Sequence, residues 1–252
     1  MYLKLESVGS GDLPDFMQWS DISELPLIWK PFQSPILAVI LAFVVPMTIA
    51  AVFGYFTFRF RISSYYLGIV TLALASITHL MIMNAQPYTG GSNGISGFNS
   101  VLGFSLWNTD VAVGSYYASV FFLAVIYFFL QWLINTRFGR ILIAIRDDEE
   151  RVRLCGFNPL KYKLIVFVFS AGVSALAGML FVLQSTIIVP ELTGVTQSVE
   201  MIIPVALGGL GTLYGPVIAA IGLQAVKTYL NETFPAFWNY FFGTLMIVVI
   251  LF

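Results

Sequence analysis

The densest set of ionisable residues runs from Arg137 to Lys163, RFGRILIAIRDDEERVRLCGFNPLKYK. It holds seven of the chain's twelve Lys and Arg (Arg137, Arg140, Arg146, Arg151, Arg153, Lys161 and Lys163) and four consecutive acids, Asp147 to Glu150. Both signs of charge at this density suit recognition of a partner surface. Elsewhere reactive residue types are sparse. His79 is the one histidine and Cys155 the one cysteine, so neither a histidine–cysteine metal site nor an internal disulfide can be assembled. His79 reads as a buried, hydrogen-bonded side chain. There is no Ser-His-Asp set, no HExxH, no pair of buried carboxylates and no GxxxxGK[ST] phosphate loop. No catalytic residue, metal or chain-bound cofactor is expected.

The elements that must position these charges are set by composition. The chain of 252 residues is 58% hydrophobic and 10% charged, against about 25% charged in soluble domains. Long apolar runs mark a helical membrane protein rather than a barrel. The net charge of −1 leaves no basic patch for nucleic acid. The expected fold is all-α: a polytopic membrane helical bundle with discontinuous or re-entrant helices, in one transmembrane domain over 1–252. The apolar run that ends at Phe252 leads to the further expectation of a fragment lacking spans at one or both ends.

Residues 1–34 carry Pro14, Pro26 and Pro31 with Phe16, Trp19, Trp29 and Phe32. Helix-breaking prolines among amphipathic aromatics suggest an extracytoplasmic loop with interfacial pieces. Spans follow at Pro35–Phe58, Tyr65–Met83, Val111–Ile134 and Leu164–Ile188. Arg59, Arg61 and the 137–163 segment fall on one side, which the positive-inside rule makes cytoplasmic. Within that segment, Gly139 to Val152 is helix-compatible, with Ile141, Leu142, Ile145 and Val152 on one face. Arg146, Asp147, Glu149 and Glu150 are expected to point away, and Gly156 with Asn158-Pro159 to end the helix. A solvated linker helix is the plainer alternative.

Between spans lies NAQPYTGGSNGISG, Asn84 to Gly97. Its glycines cannot build a lipid-facing helix. Broken backbone near membrane depth survives where protein buries it or water lines it. The segment is therefore either part of a substrate path or an external turn. Leu164 onward is rich in small residues that let a neighbouring helix approach. An external loop is expected over Pro190–Val199. Glu200 then borders an apolar stretch, where it either reaches the interface or lines a path. Met201–Leu207 and Val217–Val226 are both too short to span and flank Gly208–Pro216, a second break. Thr228–Asn239 reads as an interfacial turn before a last span from Tyr240.

Three blocks resemble the permease subunits of branched-chain amino acid type ABC importers: TGGSNGISG (Thr89 to Gly97), GRILIAIRDDEERVRLCGFNPLKYKLIVFVFSAGVSALAGML (Gly139 to Leu180) and LGGLGTLYGP (Leu207 to Pro216). LPDFMQW, SVEMIIPVALGGLGTLYGPVIAA and KTYLNETFPAFWNYFFGTLMIVVILF are closer to the urea permease branch of that family. The resemblance implies a binding-protein-dependent importer in a bacterial inner membrane, moving urea. Its implied partners are a second permease subunit, two cytoplasmic ATPase subunits that hydrolyse the ATP, and an extracytoplasmic substrate-binding protein. The implied ATPase-coupling positions are Gly139, Arg140, Arg146, Asp147, Asp148, Glu149 and Gly156. Thr89, Gly90, Gly91, Asn93 and Gly94 are the implied pathway positions. Near-absence of ionisable groups in the spans favours a neutral ligand such as urea over a zwitterion. Branched-chain amino acid import is the alternative within the family. A carrier or channel without ATP, using His79 or Glu200, is the alternative outside it.

Overall fold

A computed structural model describes residues 3–5, 29–60, 64–95, 98–101, 104–105, 108–185, 187–209, 211–234, 240–241, 243–245 and 247. The expectations placed on 6–28 and 235–239, and on Arg61, Gly97 and Leu210, lie outside them. The described residues form two compact units, 1–192 and 193–252.

In the first unit, α1 (Pro35–Arg59) and α2 (Ser64–Asn84) are followed by a single turn, α3 (Gln86–Thr89). Then come α4 (Thr109–Asn135), α5 (Arg137–Asp147), α6 (Glu149–Leu154) and α7 (Pro159–Ser185). Four of these, α1, α2, α4 and α7, are long and apolar enough to cross a membrane. Each exceeds the roughly 20 residues that a bilayer core requires. Three of the four agree with the expected spans to within two residues, because long apolar runs fix helices in lipid, whereas α7 starts five residues before the expected Leu164 and takes in Lys161 and Lys163. Pro46 lies inside α1 without ending it.

The helices pack through small residues. In the bilayer there is little hydrophobic drive between helices, so close approach has to supply the contact. Gly172 of α7 is buried, and a Cβ there would stand 3.3 Å from the Met47 sulfur of α1. Gly54 of α1 lies against Phe167 and Leu164. Residue numbers rise along α1 as they fall along α7, so the two run antiparallel. Ala38, Ala50, Gly54 and Thr57 are the buried positions among the described residues of α1, and the Thr57 hydroxyl donates to the Phe53 carbonyl at 2.8 Å. The outer faces are apolar and exposed, with Ile36, Val52, Phe121 and Phe128 among them.

One element departs from an all-helical chain. β1 (Leu3–Leu5), β2 (Phe98–Val101) and β3 (Phe104–Ser105) form a small antiparallel sheet in the order β1-β2-β3. The sequence predicts an extracytoplasmic loop with interfacial pieces over 1–34 and no element over 98–108, because pairing between segments this far apart leaves no local signal.

In the second unit, α8 (Val195–Gly208) and α9 (Tyr214–Thr233) form a hairpin around the glycine-rich turn. Two expectations change here. The loop expected to reach Val199 already turns helical at Val195, and the turn expected from Thr228 is helix as far as Thr233. The discontinuity itself is observed. The described positions of 240–247 are helical.

Candidate functional site

The charged segment is built as two short helices joined by a cap. α4 ends at Asn135, and Thr136 caps α5: its Oγ1 accepts the Gly139 N–H at 3.4 Å and donates to the Leu133 carbonyl at 2.6 Å. The turn is so tight that a Cβ on Gly139 would overlap the backbone of Ile134. Only glycine lets α5 leave the end of α4 at this angle. The single helix expected over Gly139–Val152 is in fact interrupted at Asp148. Its backbone is extended (φ −158, ψ 100), and its carboxylate accepts the Arg151 N–H at 3.0 Å. Aspartate is among the strongest N-cap residues, and it starts α6 afresh. The acids Glu149 and Glu150 follow in the first turn, where the helix dipole favours them.

The end of α6 is equally specified. Gly156 is left-handed (φ 85), its N–H reaches the Arg153 carbonyl at 2.9 Å, and the Phe157 N–H reaches Val152 at 3.3 Å. That pair of bonds is a Schellman termination. Asn158 then caps α7, accepting the Leu160 N–H at 3.2 Å, with Pro159 at the first helical position. Gly156 and Asn158-Pro159 therefore end the segment as expected from sequence.

Glu149 does not point away. Its carboxylate takes an ion pair from Arg153, one turn on, and another from Lys163 of α7. Partial burial pushes the Glu149 carboxyl up, but the hydrogen bonds and charges of Lys163 and Arg153 outweigh this and hold it below its ordinary value. Glu149 thus ties α6 to the base of α7. Arg146, Asp147 and Glu150 remain exposed, with Arg146 Nε 3.2 Å from Asp147 Oδ1. Ile145 and Val152 are buried, whereas Ile141 and Leu142 are half-buried.

Between α5 and α6 lies a groove of about 410 Å³. Ile141, Ala144, Val152 and Phe157 give it apolar walls, Arg140, Asp147, Asp148 and Arg151 charge its rim, and Cys155 opens onto it. Apolar walls under a two-signed rim can accept a partner's side chain and orient it.

The glycine loop closes on itself. The Thr89 hydroxyl donates to the Ile82 carbonyl at 2.6 Å and accepts the Gly91 N–H at 3.4 Å. Gly90, Gly91 and Gly94 are buried, and all three have positive φ. Gly94 (φ 69, ψ −162) occupies a region that is essentially open to glycine alone. A Cβ there would overlap the Ile188 carbonyl. Ile95 and Ile188 exchange backbone bonds of 2.8 and 2.9 Å, which pins the loop to the chain leaving α7. Nearby His79 Nδ1 lies 2.9 Å from the Pro190 carbonyl, an acceptor only, so the ring carries its proton there. His79 is hydrogen-bonded as expected, but only half-buried. Of the five expected pathway residues, Asn93 alone is exposed.

The coupling and pathway candidates are not brought together. They stand at opposite ends of α7, about 40 Å apart for 27 residues at 1.5 Å each.

In the second unit, a Cβ on either Gly208 or Gly215 would overlap the backbone of the other, so α8 and α9 cross in direct backbone contact. The Thr212 hydroxyl donates to the Gly208 carbonyl at 3.0 Å. Away from this crossing, Glu200 Oε2 meets Lys227 Nζ at 2.8 Å. The sequence reading singled out Glu200 but not Lys227. The available signal was a lone lysine within the apolar face of an otherwise uncharged stretch.

Fold and site define a multi-pass helical membrane protein whose charged segment projects between two spans. The family model described as "Branched-chain amino acid transport system / permease component" matches residues 16–251, and the chain belongs to that permease family. It is 28% identical over 213 residues to the high-affinity branched-chain amino acid transport system permease protein LivM of Escherichia coli K12, covering 76% of this chain and 50% of the relative. It is 30% identical over 203 residues to a protein of Methanocaldococcus jannaschii named "Probable branched-chain amino acid transport permease protein LivM", covering 78% and 56%. A shorter match, 30% over 138 residues, joins it to the autoinducer 2 import system permease protein LsrC of Salmonella paratyphi B, covering 52% and 40%. The chain thus spans about half the length of the curated relatives it matches. No solved structure matches it.

Proposed function

We propose that this chain is a membrane-path subunit of an ATP-driven importer for branched-chain amino acids. The observation that carries the reading is the groove between α5 and α6, apolar within and charged at its rim. It supplies a docking surface, and this chain then needs no bound cofactor, because ATP is hydrolysed by the partner. The partners are two ATPase subunits on the cytoplasmic side, a second permease subunit, and an extracytoplasmic binding protein that delivers the ligand. The membrane is the bacterial inner membrane.

Closure of the ATPases would move α5 and α6 together. The short turn at Gly139 passes that motion to α4, and the Glu149–Lys163 pair passes it to α7. Only contacts that differ between the outward and inward states bias the spans.

On substrate, the urea expectation gives way to its alternative. The relatives named above are branched-chain amino acid and autoinducer 2 permeases, and they lend urea no support. The argument from uncharged spans also weakens, since the second unit holds an acid–base pair.

The test is uptake of labelled leucine by cells carrying the complete importer, with excess urea as competitor. Arg146→Glu and an ATPase-dead strain serve as controls. Leucine uptake that ignores urea and disappears in both controls is the expected result. Uptake displaced by urea would restore the urea branch. Uptake that survives ATPase loss would move the chain to the carrier class and return attention to His79 and Glu200.

A further inference from the structure

The proposed coupling leaves the charges of the second unit without a role. Glu200 is the one charged residue of α8, and Lys227 shares α9 with a single other, the exposed Glu232 near its end. Their side chains are only 19% and 27% exposed. Both residues are half-buried within the hairpin. Glu200 lies one turn before Ile203, which at 3% exposure is the most buried hydrophobic of the hairpin. Lys227 continues the half-buried stripe Pro216, Ala219, Leu223.

An ion pair is a poor way to hold a helical hairpin together. Replacing a buried pair with well-packed apolar residues is often neutral or stabilising. The backbone contact at Gly208 and Gly215 already closes the hairpin at its other end. A second feature falls at the same residue. Pro204 lies inside α8 and has no N–H, so it cannot donate to the Glu200 carbonyl four residues back. Carboxylate and carbonyl of one residue thus both offer oxygen acceptors, with an ammonium donor 2.8 Å from the carboxylate.

We propose that Glu200 and Lys227 form a transit site for the charged ends of an α-amino acid, Glu200 taking the ammonium and Lys227 the carboxylate. The proposal rests on the amino acid reading of the proposed function. A zwitterion carries its two charges on neighbouring groups, so it can replace the internal pair with two ion pairs of the same kind. Each protein charge keeps a counter-charge throughout, and neither is left bare among apolar helices. When the site is empty the two side chains neutralise one another, and the hairpin need not hold an isolated charge. An uncharged ligand gains nothing from such a site.

The experiment uses the complete importer in proteoliposomes, with its loaded binding protein and labelled leucine. The variants are Glu200→Gln, Lys227→Gln, the apolar pair Glu200→Met with Lys227→Met, and the exchange Glu200→Lys with Lys227→Glu. Leucine carried per ATP hydrolysed should fall about tenfold or more in all four, as expected for loss of a charge-assisted contact. ATPase stimulation by the binding protein should persist. The exchange should not rescue, because reversing the charges turns a chiral ligand around and misplaces its side chain. Normal uptake in the apolar pair or the exchange would overturn the proposal and leave the pair a clasp. Failure of the apolar pair to assemble would overturn it too, making the charges architectural. A wild-type importer that carries no amino acid would remove the proposed function itself, and this is seen before any variant is read.

Discussion

The charged segment and the glycine loop occupy opposite ends of α7, and they are held in opposite ways. At one end, side chains do the fastening: Asp148 caps α6, Glu149 reaches Lys163, and the groove between the helices stays open. At the other, backbone meets backbone: Gly94 sits under the Ile188 carbonyl, and Ile95 pairs with Ile188. The first arrangement leaves most of its charges facing outward. The second is bonded to its own surroundings: the Thr89 hydroxyl donates to the Ile82 carbonyl of α2 and accepts the Gly91 N–H, and only side chains such as Asn93 remain exposed. One end is therefore suited to engage a partner, and the other to fix the chain's own path.

If that contrast is right, substitutions should separate the two ends by size of effect. The largest belongs to Gly94→Ala. It meets both a glycine-only backbone conformation and an occupied space, so a loss of about 3 kcal/mol or more is expected. Thermal unfolding of the purified protein in detergent would register it, and Asn93→Ala, at an exposed side chain of the same loop, should change little. A tolerated Gly94→Ala would mean that the loop is looser than described.

Asp148→Ala should cost about 1 kcal/mol, the usual value of a lost N-cap, whereas Asp148→Asn should cost a few tenths. The same unfolding assay compares them. Arg151 Nε also lies 3.3 Å from Asp148 Oδ2, and equal losses from both substitutions would assign the effect to that ion pair rather than to the cap.

Glu149→Gln comes next, at under about 1 kcal/mol for a partly exposed pair. Its sign with pH is definite. The folded carboxyl titrates below its ordinary value. Its contribution is therefore complete above the unfolded value and is lost as pH falls through the lowered one. Wild type and Glu149→Gln should converge in stability towards the acid end of the carboxylate range. A gap that widens on acidification would contradict the pairing with Lys163.

The smallest stability effect is expected at Arg151, whose side chain is 82% exposed. Arg151→Ala should lie within about 0.5 kcal/mol of wild type, yet transport should fall because Arg151 stands on the groove rim.

The contrast also explains what could be read in advance. Long apolar runs gave the four spans, and Gly156 with Asn158-Pro159 marked the end of α6, because each is a local rule satisfied locally. The break at Asp148 was hidden within DDEE, where an N-cap and helical acids look alike until the backbone is known. Glu149 was placed on the outer face because its partner Lys163 is fourteen residues on, in the next helix. Lys227 was missed because its link to Glu200 depends on how a glycine turn folds α8 back on α9. The glycine motifs were legible as breaks but not as contacts: which carbonyl each glycine must avoid is a tertiary fact.

The central claim is that the groove between α5 and α6 receives an ATPase subunit. Cys155 opens onto that groove and is the chain's single cysteine. The direct measurement is the rate at which a maleimide labels Cys155 in the purified permease, alone and assembled with its ATPase. Rapid labelling alone and strong protection in the complex is the predicted result. Equal rates in a complex shown to be intact would place the ATPase elsewhere and contradict the account.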